Sequence, residues 1–81
     1  MQRLLAAGVE RDDVERTLIE AGMRLVAVLP KTEDHPAQLV FASADRRTVV
    51  HWVVDDRGGA TFLAFAGPDA DRMREATRVL P

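Results

Sequence analysis

The chain contains no cysteine, tyrosine or asparagine, and it has only one lysine and one serine. Without cysteine there is no disulfide, thiolate nucleophile or cysteine-ligated metal, and we expect a protein of the reducing cytoplasm. The one serine, Ser43, has no histidine and acid placed beside it by any sequence motif, so no catalytic triad is predicted. Lysine, isoleucine, asparagine and tyrosine have AT-rich codons. Their scarcity favours a GC-rich genome, that of a bacterium or its phage.

Long hydrophobic runs are also missing. The run from Leu4 to Val9 has six residues before Glu10, whereas a signal peptide needs roughly 7–15 apolar residues and a membrane span about 20. We therefore expect neither a signal peptide nor a membrane association. Acidic and basic residues number 13 and 11, without the clustered basic excess that is typical of nucleic-acid-binding proteins. The length of 81 residues predicts a single domain, residues 1–81.

The first part of the chain predicts an arm followed by a helix. Residues 1–9 are expected to form an N-terminal arm or a short helix. Val14, Leu18 and Ala21 then lie at i, i+4 and i+7, the spacing of one helix face. Because Gly22 stands where a left-handed cap would end that helix, we predict a helix over residues 10–21.

The rest of the chain predicts four strands and a second helix. The strands are expected at 23–29, 38–43, 48–55 and 60–66, joined by short connections that favour an antiparallel meander. The glycines of 56–59 suit a hairpin turn, and Asp69 suits the N-cap of a final helix. The predicted fold is α+β, with the order α-β-β-β-β-α: a four-stranded antiparallel meander with two helices packed on one face.

The two faces of this sheet predict a binding surface. Alternate strand residues point to opposite faces, yet the second face of each strand carries two or more apolar residues beside a polar residue (Arg24, Gln38, His51 or Thr61). An apolar face of this size indicates cover by another protein chain, most simply a second copy in a homodimer. The alternative cover is the arm 1–9. The predicted partner interface consists of Arg24, Val26, Val28, Val49, His51 and Val53.

Residues suited to chemistry are few. His51 precedes Asp55 by four positions, about 13 Å along a strand, which is too far for contact. His35 follows Glu33 and Asp34 in a loop, but a metal site needs three or four fixed ligands. We predict no catalytic, cofactor-binding or metal-binding residues, no small-molecule partner and no enzymatic activity. A small enzyme that uses His51 and nearby acids is kept as an alternative.

Nucleic-acid binding is a second alternative. It would use Arg46 and Arg47 at a turn, with Trp52 and the other sheet aromatics as stacking platforms. Aromatic residues on strands more often belong to a core, and the balanced charge argues against this class. The sequence therefore predicts a non-catalytic protein–protein interaction module, as a small adaptor, a dimerising regulatory domain or a protein inhibitor of bacterial or phage origin.

Overall fold

The structure is a computed structural model that describes residues 2–54 and 61–81. The elements in chain order are β1 (Gln2–Leu5), α1 (Arg11–Glu20), β2 (Arg24–Leu29), β3 (Ala37–Ala42), β4 (Val49–Val54), β5 (Thr61–Ala66) and α2 (Ala70–Ala76), followed by a 3-10 turn at Thr77–Val79. The predicted α+β class is confirmed, with bounds close to those expected. The predicted hairpin turn at 56–59 lies outside the described residues.

The five strands form one antiparallel sheet in the order β1-β5-β4-β3-β2. Strands β2 to β5 are the predicted meander. The fifth strand corrects the prediction for residues 1–9, because Gln2–Leu5 are neither an arm nor a helix. They pair with β5, with Leu4 opposite Phe62, and extend the sheet at its edge. Among the described residues, no helix is long and apolar enough to cross a membrane.

Helix α1 is amphipathic and ends in the cap that its sequence predicts. Val14 and Leu18 are fully buried on its inner side. Gly22 has a φ of 94°, in the left-handed region that suits glycine. Its N–H donates to the Ile19 carbonyl, and the N–H of Met23 donates to the Leu18 carbonyl, each over 3.0 Å. These two bonds form a Schellman motif, which turns the chain directly from α1 into β2.

Both helices pack on the same side of the sheet, where the core lies. Most of the sheet residues in the core come from the three central strands, β5, β4 and β3. Helix α2 packs on β5 and β4. The buried core residues are Leu5, Val14, Leu18, Met23, Leu39, Phe41, Val50, Trp52, Leu63, Phe65, Met73 and Leu80. The opposite side, which we call the open face, carries the alternate residues of each strand, such as Val40 and His51, which lie directly opposite each other.

The connection into α2 is held tightly against the turn between β3 and β4. Gly67 has a φ of 112°, and a Cβ there would lie 2.6 Å from the Cα of Thr48 and closer still to the Arg47 carbonyl oxygen. The fully buried Thr48 accepts a 3.0 Å hydrogen bond from the Asp69 N–H through its Oγ1. This contact fixes the turn from Ser43 to Thr48 relative to the start of α2.

Candidate interaction surface

Strand β2 concentrates the exposed apolar surface of the protein. Seven large hydrophobic residues are exposed in the described part of the chain, and four of them are in this one strand, at 40 to 58% exposure: Leu25, Val26, Val28 and Leu29. The other three lie on separate elements. Strand β2 is also an edge of the sheet, since it pairs only with β3. Apolar side chains and unpaired backbone groups are thus exposed together.

A β-bulge places these side chains on both sides of the sheet. Leu25 lies opposite Phe41, but Ala27 lies opposite the next residue of β3, Val40, which leaves Val26 as an extra residue. The strand beyond the bulge is therefore shifted relative to simple alternation. As a result, apolar residues of β2 are exposed on the helix side as well as on the open face.

The bulge corrects the predicted position of Val28. Strict alternation predicts that Arg24, Val26 and Val28 share one face, whereas Val28 lies opposite Leu39, a core residue, and is on the helix side. It is nevertheless 58% exposed. Val28 therefore stays accessible to a partner, but from the other side of the sheet.

The predicted interface residues of β4 are less accessible than those of β2. Val53 is buried, while Val49 and His51 are half-buried. The Nδ1 atom of His51 lies 3.0 Å from the Oε1 atom of Gln38 on the neighbouring strand, so the two polar side chains of this region satisfy each other. The centre of the open face is consequently packed by its own side chains, and the accessible surface lies further out, at β2.

Two arginines mark the beginning of β2. A shallow cavity of about 210 Å³ on the open face is lined by Arg24 and Val26 of β2 and by Arg46 of the β3–β4 turn, among others. In the part of the chain that the structure describes, neither guanidinium group pairs with a carboxylate. This end of the strand is therefore positively charged.

Two acids and Lys31 follow the other end of β2. Glu33 and Asp34 are exposed in the loop 30–36, which connects β2 to β3. The Thr32 Oγ1 atom accepts hydrogen bonds from the N–H groups of Asp34 and His35, at 3.3 and 3.1 Å. This compact turn places the two carboxylates beyond the end of β2. His35 is not part of a metal site, since no three potential ligands lie close together within 2–54 and 61–81.

The residues of the nucleic-acid alternative are not brought together. Ser43 Oγ and the Arg47 N–H donate hydrogen bonds to Asp45, at 2.6 and 3.0 Å, and so lower the pKa of that carboxyl. These bonds fix the turn that exposes Arg46 and Arg47. Trp52, by contrast, is only 4% exposed and belongs to the core, where its ring cannot stack on a base.

The strand at the opposite edge of the sheet, β1, is held to the C-terminal residues by hydrogen bonds. The Arg3 guanidinium donates hydrogen bonds to the carbonyls of Thr77 and Leu80, and the Ala6 N–H donates to the Pro81 carbonyl over 3.0 Å. The last residues of the chain are thereby tied to β1. The two edges therefore differ, because β1 carries one exposed large hydrophobic residue, Leu4, against four in β2.

These features define an α+β domain with one exposed apolar edge strand. No protein-family model matches the chain, and neither a curated protein nor a solved structure matches it. A function is therefore inferred from the residues of this chain and not from a relative. The sequence prediction missed Leu25 and Leu29 as surface residues, although the uninterrupted apolar run from Leu25 to Leu29 was a signal for them.

Proposed function

We propose that this protein is a non-catalytic protein–protein interaction module that binds its partner through β2. The observation that carries the proposal is the concentration of exposed apolar residues in one edge strand. Exposed edges of this kind accept a further strand, whose backbone pairs with the edge and whose side chains cover the apolar ones. Natural proteins usually protect such an edge with inward-pointing charges or a covering element, and no charged residue occurs between Arg24 and Lys31.

The composition supports a small adaptor, dimerising regulatory domain or protein inhibitor in the cytoplasm of a bacterium or a phage-infected cell. The lack of cysteine fits a reducing compartment. The hydrogen bond between His51 and Gln38 favours a packing role for that histidine over a catalytic one. The burial of Trp52 favours a protein partner over a nucleic acid.

Site-specific photo-crosslinking in the native host tests the proposal. A benzophenone amino acid is introduced at Val28, and a matched control carries it at Val79, which is more exposed, at 78%, but lies outside β2. We expect a discrete crosslinked product from Val28 and none from Val79, because proximity to a bound partner and not exposure determines the yield. Mass spectrometry then identifies the partner chain.

A substitution in the same strand completes the test. Val26→Asp places a charge on the exposed strand and should abolish the Val28 crosslink, since the charge would be desolvated by the partner. Circular dichroism should show an unchanged fold, as Val26 is exposed in the free chain. Equal crosslinking from Val28 and Val79, or a Val28 crosslink that survives Val26→Asp, contradicts the proposal.

A further inference from the structure

We infer that the chain that covers β2 is a second copy of this protein, and that the two β2 strands pair antiparallel across a two-fold axis. The two sheets then join into one continuous sheet. The inference rests on the proposed function and adds the identity and orientation of the partner. Three features support it: the backbone of the edge, the face pattern of its side chains, and the charges at its ends.

The outward N–H and C=O groups of β2 favour an extended partner. In an antiparallel sheet, about half of the residues of an edge strand direct their N–H and C=O groups away from the sheet. Another strand satisfies these groups most completely. In a two-fold arrangement the same strand serves as both edge and partner, so one surface suffices. The other edge, β1, is tied to the C-terminal residues through Arg3 and Ala6.

The bulge makes the side-chain pattern of β2 symmetric about the centre of the strand. Arg24 and Leu29 lie opposite Ala42 and Gln38, on the open face, whereas Leu25 and Val28 lie on the helix side, opposite core residues of β3. At the centre, Val26 lines the open-face cavity with Arg24, and Ala27 lies opposite Val40 of the same face. The order of faces is therefore the same in both directions along the strand.

This symmetry suits pairing of two copies centre to centre. Directly opposite residues of an antiparallel pair share a face of the sheet. When the centres of the two β2 strands lie side by side, Leu25 lies opposite Val28 of the second copy, and both are on the helix side. A six-residue strand with strict alternation would place opposite faces together in that register. The bulge thus permits the centred register, in which the four exposed hydrophobic residues all lie within the pair.

The charges select the antiparallel orientation. Arg24 and Arg46 lie at the beginning of β2, whereas the loop beyond its end carries two acids, Glu33 and Asp34, and one base, Lys31, and so has a net negative charge. Antiparallel pairing brings the beginning of one strand beside the end of the other. Each arginine pair therefore approaches the acids of the second copy, twice per dimer. Parallel pairing would place like charges together, which is unfavourable.

Sedimentation equilibrium of the full chain tests self-association. The wild type should be a dimer, and Val28→Lys should be a monomer at every concentration measured, because a lysine in a strand pair is a known protection of edges. The matched control is Leu4→Lys, which places the same charge on the exposed residue of the other edge. It should leave the dimer intact.

Charge reversal tests the orientation. Arg24→Glu alone and Glu33→Arg alone should each raise the dimer dissociation constant about tenfold, because each breaks two symmetric exposed ion pairs. The double variant, Arg24→Glu with Glu33→Arg, should restore the wild-type constant. Restoration requires that the two positions meet across the interface, since within one chain they lie at opposite ends of β2.

Each result bears on the inference separately from the proposed function. A wild type that is monomeric up to about 1 mM, the limit of weak association, overturns self-pairing. If Val28 nevertheless crosslinks to a different protein, the interaction function stands and the second copy does not. Equal dissociation by Val28→Lys and Leu4→Lys, or no recovery in the charge-reversed double variant, also overturns the inferred arrangement.

Discussion

Replacement of Gly67 by alanine should be the most destabilising glycine substitution outside the 55–60 segment. Its φ of 112° lies in a region that costs a residue with a Cβ about 1–3 kcal/mol. The new Cβ would also overlap the backbone of Arg47 and Thr48, and forced backbone shifts of this kind cost about 1–3 kcal/mol. We therefore expect a loss of about 2–6 kcal/mol, a large part of the roughly 4–12 kcal/mol that a chain of this length has in total.

Gly22→Ala is the matched control. Gly22 also has a positive φ, of 94°, but a Cβ there would meet no atom within 4 Å. Its substitution should cost about 1–3 kcal/mol, which is the conformational part alone. Urea denaturation of the wild type and both variants, at one fixed protein concentration because association shifts apparent stability, measures the difference. Gly67→Ala should be the less stable variant by about 1–3 kcal/mol.

Equal losses in the two variants would refute this reasoning, because the close approach of Gly67 to the β3–β4 turn would then contribute nothing. A positive result has a structural consequence beyond stability. The turn that Gly67 supports also carries Arg46, so Gly67→Ala should displace one of the two arginines at the beginning of β2.

Two further substitutions test the contacts of β1 with the C-terminal residues and the β3–β4 turn. Arg3→Met should lower the free energy of unfolding by about 1–3 kcal/mol and accelerate hydrogen exchange near Leu80, because the carbonyl groups of Thr77 and Leu80 lose their donor; unchanged exchange there would contradict this role. Hydrogen bonds lower the pKa of Asp45 below its ordinary 3.8, so the carboxylate stabilises the fold above that value. The stability advantage of the wild type over Asp45→Asn should disappear as the pH falls through the lowered pKa, as followed by urea denaturation; an advantage that grows in acid would have the wrong sign.

The sequence predicts the meander and both helices because their signals are local. Gly22 ends α1 through a backbone conformation that glycine favours, and the short connections force neighbouring strands to be antiparallel. Strand β1 carries no comparable signal. Its four residues pair with β5, about 60 positions later in the chain, and a strand of that length shows too little alternation to be recognised.

The bulge at Val26 could not be predicted for a similar reason. Neither glycine nor proline marks it, and it arises from the pairing of β2 with β3. The sequence therefore places Val28 on the wrong face. The edge position of β2 was within reach of prediction, because the first strand of a meander has only one neighbour within it, and the segment from Leu25 to Leu29 contains no charge. The burial of Val53 depends on packing across strands, which no local sequence pattern predicts.

The hydrogen bonds of Arg3 and Ala6 hold residues 77–81 against β1. Strand β2 lies four strand spacings away, roughly 19 Å across the sheet. A fluorescent protein or an affinity tag joined to residue 81 would therefore be attached far from β2. The same contacts permit a circular permutant in which a linker as long as β1, about 13 Å, joins residue 81 to residue 2 and the chain is opened within the loop 30–36. Such a permutant would leave every strand of the sheet intact while releasing the acids of that loop from their place beside β2.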